Sequence, residues 1–120
     1  MVGNEIKGIE VSKRCEDIRS ALSEIEQALR SSGLWTEETA RPEKEAFLST
    51  VPFCLDTMEL HCWFQYVLIP KFYELLKTPE LLPKKLCVHT VAEEYYRGKW
   101  HEYRSLLAAL RRFDALFENK

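Results

Sequence analysis

The sequence predicts an all-α fold, a single-domain bundle of about four helices with a proline-kinked central helix and a long loop after helix 1. Three observations predict it. Apolar residues recur at three- and four-residue intervals in several separate segments, and no segment alternates apolar with polar residues over a useful length. The periodic runs are separated by helix-ending residues, namely Gly33, Pro79 with Pro83, and Gly98. At 120 residues the chain has room for one hydrophobic core and not for two.

The first helix follows from Cys15, Ile18, Leu22, Ile25 and Leu29, spaced 3-4-3-4 with charged residues between them. It ends at "SSG", where Gly33 can take the left-handed cap conformation. Residues 1–10 are read as a flexible N-terminus and residues 11–118 as the bundle. Residues 34–55 have no clear period and contain Pro42 and Pro52, so Leu34, Trp35, Phe47, Leu48 and Phe53 are expected to pin this loop to the core. A short helix fits near 42–48.

The central helix is predicted over 56–77. Asp56 is a suitable N-cap and Glu59 completes a capping-box spacing across "DTME". Met58, Cys62, Tyr66, Ile69, Tyr73 and Leu76 form one stripe, with Leu60, Phe64, Val67 and Leu68 opposite, as expected for a buried helix. Pro70 lies inside this run. It has no N–H for the Tyr66 carbonyl, so the helix must kink or break there. Val88, Val91, Ala92 and Tyr95 predict a third helix, and Tyr103, Leu106, Leu110, Phe113 and Phe117 a fourth, with Arg111 and Arg112 facing solvent.

Composition narrows the function classes. The chain is 46% hydrophobic and 30% charged, enough apolar surface for a core and too much for a disordered chain. Its net charge of −2 and the interleaving of Arg97, Lys99, Arg104, Arg111 and Arg112 with Glu93, Glu94, Glu102, Asp114 and Glu118 resemble solvated helix faces more than a phosphate track. The longest nearly apolar window, Cys62 to Pro70, contains Gln65 and falls short of the ~20 residues of a membrane span. The charged N-terminus has no signal-peptide pattern, which predicts a cytoplasmic protein with reduced cysteines.

Candidate chemistry is sparse. Cys54, His61, Cys62, Cys87 and His89 are metal-ligand types, but no C-x2–4-C knuckle aims two thiolates at one ion, so no metal and no cofactor is expected. A thiol–imidazole pair would need Cys62 to meet His89 or His101. Asp56 and Glu59 share a helix face as an acid/base pair would, yet the same spacing serves a cap. No catalytic residue is assigned. Trp35, Trp63 and Trp100 fall outside the cleanest stripes and are candidate anchors for a partner.

"PFCLDTME", "WFQYVLIPKF" and a following "LLP" resemble the YqcC-like family of small helical bacterial proteins of unknown function, over roughly residues 15–117. The matching positions are Pro52, Phe53, Asp56, Thr57, Met58, Glu59, Trp63, Gln65, Val67 to Pro70, Leu82 and Pro83, and "FDALF" at 113–117 is similar too. The resemblance implies a helical bundle in a bacterial cytoplasm with no established activity. Its members are sometimes labelled as, or encoded beside, a tRNA pseudouridine synthase. Such enzymes resemble one another in a larger α/β domain with an aspartate in an R-L-D-type loop. The nearest string here, Arg112-Phe113-Asp114, lies in a helical stripe, so the chain is not expected to be that enzyme.

The expected function is that of a non-enzymatic accessory factor that binds a protein partner, linked to tRNA modification by family neighbourhood only. The binding residues are Trp35, Trp63, Gln65, Tyr66 and Tyr73. Asp56, Thr57, Glu59 and Pro70 are structural. The alternative is a small-molecule binder or enzyme with a pocket beside the kinked helix 56–77. RNA is a third candidate partner, a membrane is not, and the chain is expected to be a monomer or a weak homodimer.

Overall fold

The computed structural model describes residues 2–117, with side chains from residue 11 onward. Four helices form the frame: α1 (Val2–Ser31), α2 (residues 60–75), α3 (Val88–Tyr95) and α4 (Arg104–Ala115), and no strand occurs among the described residues. The first helix takes in residues 2–10, which the sequence reading set apart. The long loop carries three short 3₁₀ turns, Glu38–Ala40, Lys44–Leu48 and Pro52–Cys54.

The 3-4-3-4 stripe of α1 is the centre of the core. Ile18, Leu22, Ile25 and Leu29 are fully buried in one core cluster with Leu106, Leu110 and Phe113. The stripe therefore faces its own fold and presents no seam to a second subunit. Burying such side chains contributes about 1.5–3 kcal/mol each. Arg112 reaches across from α4 to Glu24 of α1, with Nη2 at 2.6 Å from the carboxylate, and Phe72, Phe113 and Phe117 close the far end with ring centroids 5.1–5.4 Å apart. The cap at Gly33 forms as expected: its φ is 73°, and the Leu34 amide donates to the Leu29 carbonyl.

The central helix differs from its sequence reading in three ways. It starts at Leu60 rather than Asp56, and no side chain caps it. Asp56 lies in an exposed turn, where it accepts the Ser49 hydroxyl at 2.5 Å, while the Glu59 carboxylate accepts the Tyr95 hydroxyl. Phe53 and Cys54 both have left-handed backbones, with φ of 60° and 50°. Thr57 and Met58 then donate their amides back to Cys54, so the chain is still turning where the helix was expected to begin. Thr57 locks this turn by donating to the Ala46 carbonyl at 2.7 Å.

The second difference is at Pro70. The helix does not break; it carries a π turn over Phe64–Leu68, in which the Ile69 amide donates to the Phe64 carbonyl five residues back. One residue is thereby inserted just before the position where proline cannot donate. The third difference follows from the second. An inserted residue turns the downstream helix by about 100° relative to an unbroken one. Phe72 is thus brought into the core and Tyr73 is left 40% exposed, although the sequence stripe had placed Tyr73 inside.

Two smaller corrections concern the loop and α3. Leu34, Trp35 and Phe53 pack on the core, but Leu48 is 78% exposed and pins nothing. In α3 the buried tyrosine is Tyr96, with Tyr95 at the surface. Among the described residues no helix is long and apolar enough to cross a membrane.

Candidate functional site

The residues singled out around 63–73 divide into an anchor and a groove. Gln65 is buried, and its amide brackets the backbone of Thr36 in the long loop. Oε1 accepts from the Thr36 N–H at 2.9 Å and from its hydroxyl at 3.2 Å, and Nε2 donates to the Thr36 carbonyl at 2.9 Å. Tyr66 adds a hydroxyl contact to Thr36 Oγ1 at 2.7 Å and lies under the Arg41 guanidinium. Both were expected to be binding residues. Their polar atoms are instead occupied in holding the loop on the helix, and the π turn aims the two adjacent side chains at one strand of loop.

Trp35 stacks under Arg30, 4.4 Å from guanidinium to ring centroid. Trp63 meets Phe53 edge to face at 4.7 Å and borders an open, mostly apolar groove of about 960 Å³. The groove runs between the outer side of α2 and the segment leading into α3. Its lining includes Val67, Leu75, Leu81 and Leu86, with Lys71 and Lys85 as its charged members. Tyr73 is outside it. Sequence reasoning missed Phe53, Val67, Lys71 and Lys85 as site residues. The available signal was local: lysines flanking apolar residues on both sides of the Pro79 turn.

The nucleophile and metal candidates do not assemble. Cys62 Sγ lies 3.7 Å from Nδ1 of its neighbour His61, and not beside His89 or His101. Burial, with the Glu59 carboxylate adding to it, pushes the Cys62 thiol up, away from the thiolate that a nucleophile needs. Burial also lowers the His61 pKa below its usual 6.5, partly opposed by Glu59 and by a hydrogen bond to the Leu34 carbonyl. Among the described residues no three His, Cys, Asp or Glu side chains converge on a point. Asp114, the aspartate of the Arg-Phe-Asp string, sits in α4 and accepts the amides of Val88 and His89 at 3.1 and 2.8 Å. It caps α3 from a neighbouring helix.

Comparison with known proteins places this geometry. A family model described as tRNA pseudouridine synthase C (DUF446) matches residues 17–116. An uncharacterized protein of Haemophilus influenzae is 34% identical over 98 residues, covering 82% of this chain and 90% of the relative. The uncharacterized protein YqcC of Escherichia coli K12 is 35% identical over 100 residues, covering 83% of this chain and 90% of its own length. The chain belongs to the YqcC-like family. A longer relative, the tRNA pseudouridine synthase C of Pectobacterium carotovorum subsp. carotovorum, is 37% identical over 86 residues, which are 72% of this chain and 22% of that protein. The chain thus spans only about a fifth of that relative. No solved structure matches the chain. In this chain Trp63 and Phe53 wall the groove, Gln65 holds the loop, and Pro70 follows the π turn.

Proposed function

We propose that the protein is a non-enzymatic accessory module of the bacterial cytoplasm that docks an RNA-modifying enzyme. The single observation that carries this reading is the groove beside α2, an open apolar trough whose charged lining is two lysines, Lys71 and Lys85. Apolar surface kept open to water marks a place where another surface belongs. The charge pattern suits an amphipathic helix from the partner, its apolar stripe in the trough and acidic residues beside that stripe against the lysines. The choice of partner is supported by the Pectobacterium relative, in which a segment like this one shares a chain with a much longer remainder under the name tRNA pseudouridine synthase C.

The alternative, a small-molecule pocket, requires several convergent polar groups among the lining residues. The groove lies beside α2 as that reading asked, yet it offers only apolar side chains, two amines and the Cys87 thiol. Affinity capture from a bacterial lysate with wild-type protein and with Val67→Glu tests the two. Recovery of an RNA-modifying enzyme by the wild type and its loss with Val67→Glu supports docking. Equal recovery by both, or no recovery while a metabolite raises the melting temperature, overturns it.

A further inference from the structure

A second cleft lies between α3 and α4, and it shares no lining residue with the groove. Its volume is about 560 Å³, within the range of small-ligand sites. One end is Trp100, 51% exposed, whose indole Nε1 donates to the Glu93 carbonyl at 2.8 Å. That bond holds one edge of the ring and leaves much of the indole accessible.

The floor is Leu107 and Ala108, and the far wall carries Arg104 and Arg111. These arginines are seven residues apart on α4, about two turns, with Ala108 between them on the same face. Ala108 places only a methyl group on the helix face between them. Arg112, also in the cleft, is engaged with Glu24 at 2.6 Å. Among the described residues, Arg104 and Arg111 have no carboxylate partner. The one carboxylate in the lining, Glu93, is met by Nε2 of His89 at 3.4 Å. His101 completes the rim. The cleft is therefore locally basic on a chain whose net charge is −2.

We propose that this cleft binds a nucleotide, with the base stacked on Trp100 and the phosphate held by Arg104 and Arg111. Guanidinium forks match phosphate oxygens, and an exposed indole accepts any base by its face. The shared chemistry, one flat ring joined to one phosphate, is met equally by a free nucleotide and by a nucleotide within a single strand. This inference is independent of the groove reading, because different side chains carry it.

The test uses the full chain with two probes, AMP and a fluorescein-labelled twelve-nucleotide single-stranded oligoadenylate. Binding is read by isothermal titration calorimetry for both probes, by anisotropy for the oligonucleotide, and by tryptophan quenching in the wild type. Quenching by either probe is expected, as is at least a tenfold loss of affinity with Trp100→Leu and with Arg104→Glu/Arg111→Glu, both melting like the wild type. Trp100→Phe keeps a stacking face and should bind within about threefold of the wild type. Neutralising one phosphate on a single strand predicts a log–log salt slope of about −0.7. Tighter oligonucleotide binding assigns the site to a strand, and equal affinity per site assigns it to a free nucleotide; both uphold the proposal. It is overturned if neither probe binds, if the variants bind as the wild type does, or if a polyglutamate peptide binds as tightly with the same residue dependence.

Discussion

Replacing Gln65 with Ala should destabilise the fold far more than one exposed-loop contact would suggest. The side chain makes three hydrogen bonds to Thr36, two of them to its backbone N–H and carbonyl, and is itself only 7% exposed. A typical internal hydrogen bond has a net worth of about 1 kcal/mol, and a buried backbone group left without a partner costs about 1–3 kcal/mol. Thr36 is half-buried, so the lower part of that range applies, and the expected loss is about 2–4 kcal/mol. Urea denaturation would measure it, with Thr36→Ala as the control. That control removes only the hydroxyl contacts to Gln65 and Tyr66 and should cost about 1 kcal/mol. Native-state hydrogen exchange gives a local reading, because the Thr36 amide should lose protection in Gln65→Ala. A loss below about 0.5 kcal/mol with Thr36 protection unchanged would refute the view that Gln65 fastens the loop to α2.

Pro70→Ala restores a backbone donor on an exposed position, yet the π turn should persist, because regularising it would pull either Gln65 from Thr36 or Phe72 from the core. Stability should change by no more than about 1 kcal/mol, and backbone chemical shifts at 64–68 should still report the bulge. Asp114→Ala should cost about 1–2 kcal/mol by uncapping α3, whereas Asp56→Ala should cost less than about 1 kcal/mol because its partner is an exposed Ser49 hydroxyl. For His61 the folded pKa lies below the unfolded 6.5, so the unfolded chain binds more protons in that window and stability falls as pH drops below about 6.5. His61→Gln should flatten that part of the stability–pH curve, as followed by urea midpoints from pH 7.5 to 5.

The helical frame was legible because 3-4 spacing is a direct consequence of 3.6 residues per turn. Ile18 to Leu29 and Leu106 to Phe117 therefore read correctly from sequence alone. The π turn was not legible as such. Its trace in the sequence is a phase slip, with Phe72 rather than Tyr73 in register with the buried positions upstream, and Pro70 is a reason for such a slip without specifying its form. The cap at Asp56 misled because its spacing fits a capping box, while the left-handed pair Phe53–Cys54 redirected the chain before a helix could start. The cap that forms on α3 comes from Asp114, 25 residues beyond His89 and invisible to any local rule. Gln65 was singled out as a binding residue, and its tie to the loop was not legible because its partner Thr36 is 29 residues away. The groove escaped notice because apolar residues such as Val67 and Leu75 read as core until the packing leaves them facing an opening.

The claim that the α2 groove docks a partner helix is tested most directly by hydrogen exchange on the protein alone and bound to the enzyme it captures. Docking predicts slowed exchange over residues 63–75 and 81–88, with Lys71→Glu/Lys85→Glu weakening the complex while the free protein melts as before. Slowed exchange confined to other surfaces, with affinity untouched by Lys71→Glu/Lys85→Glu, would contradict it.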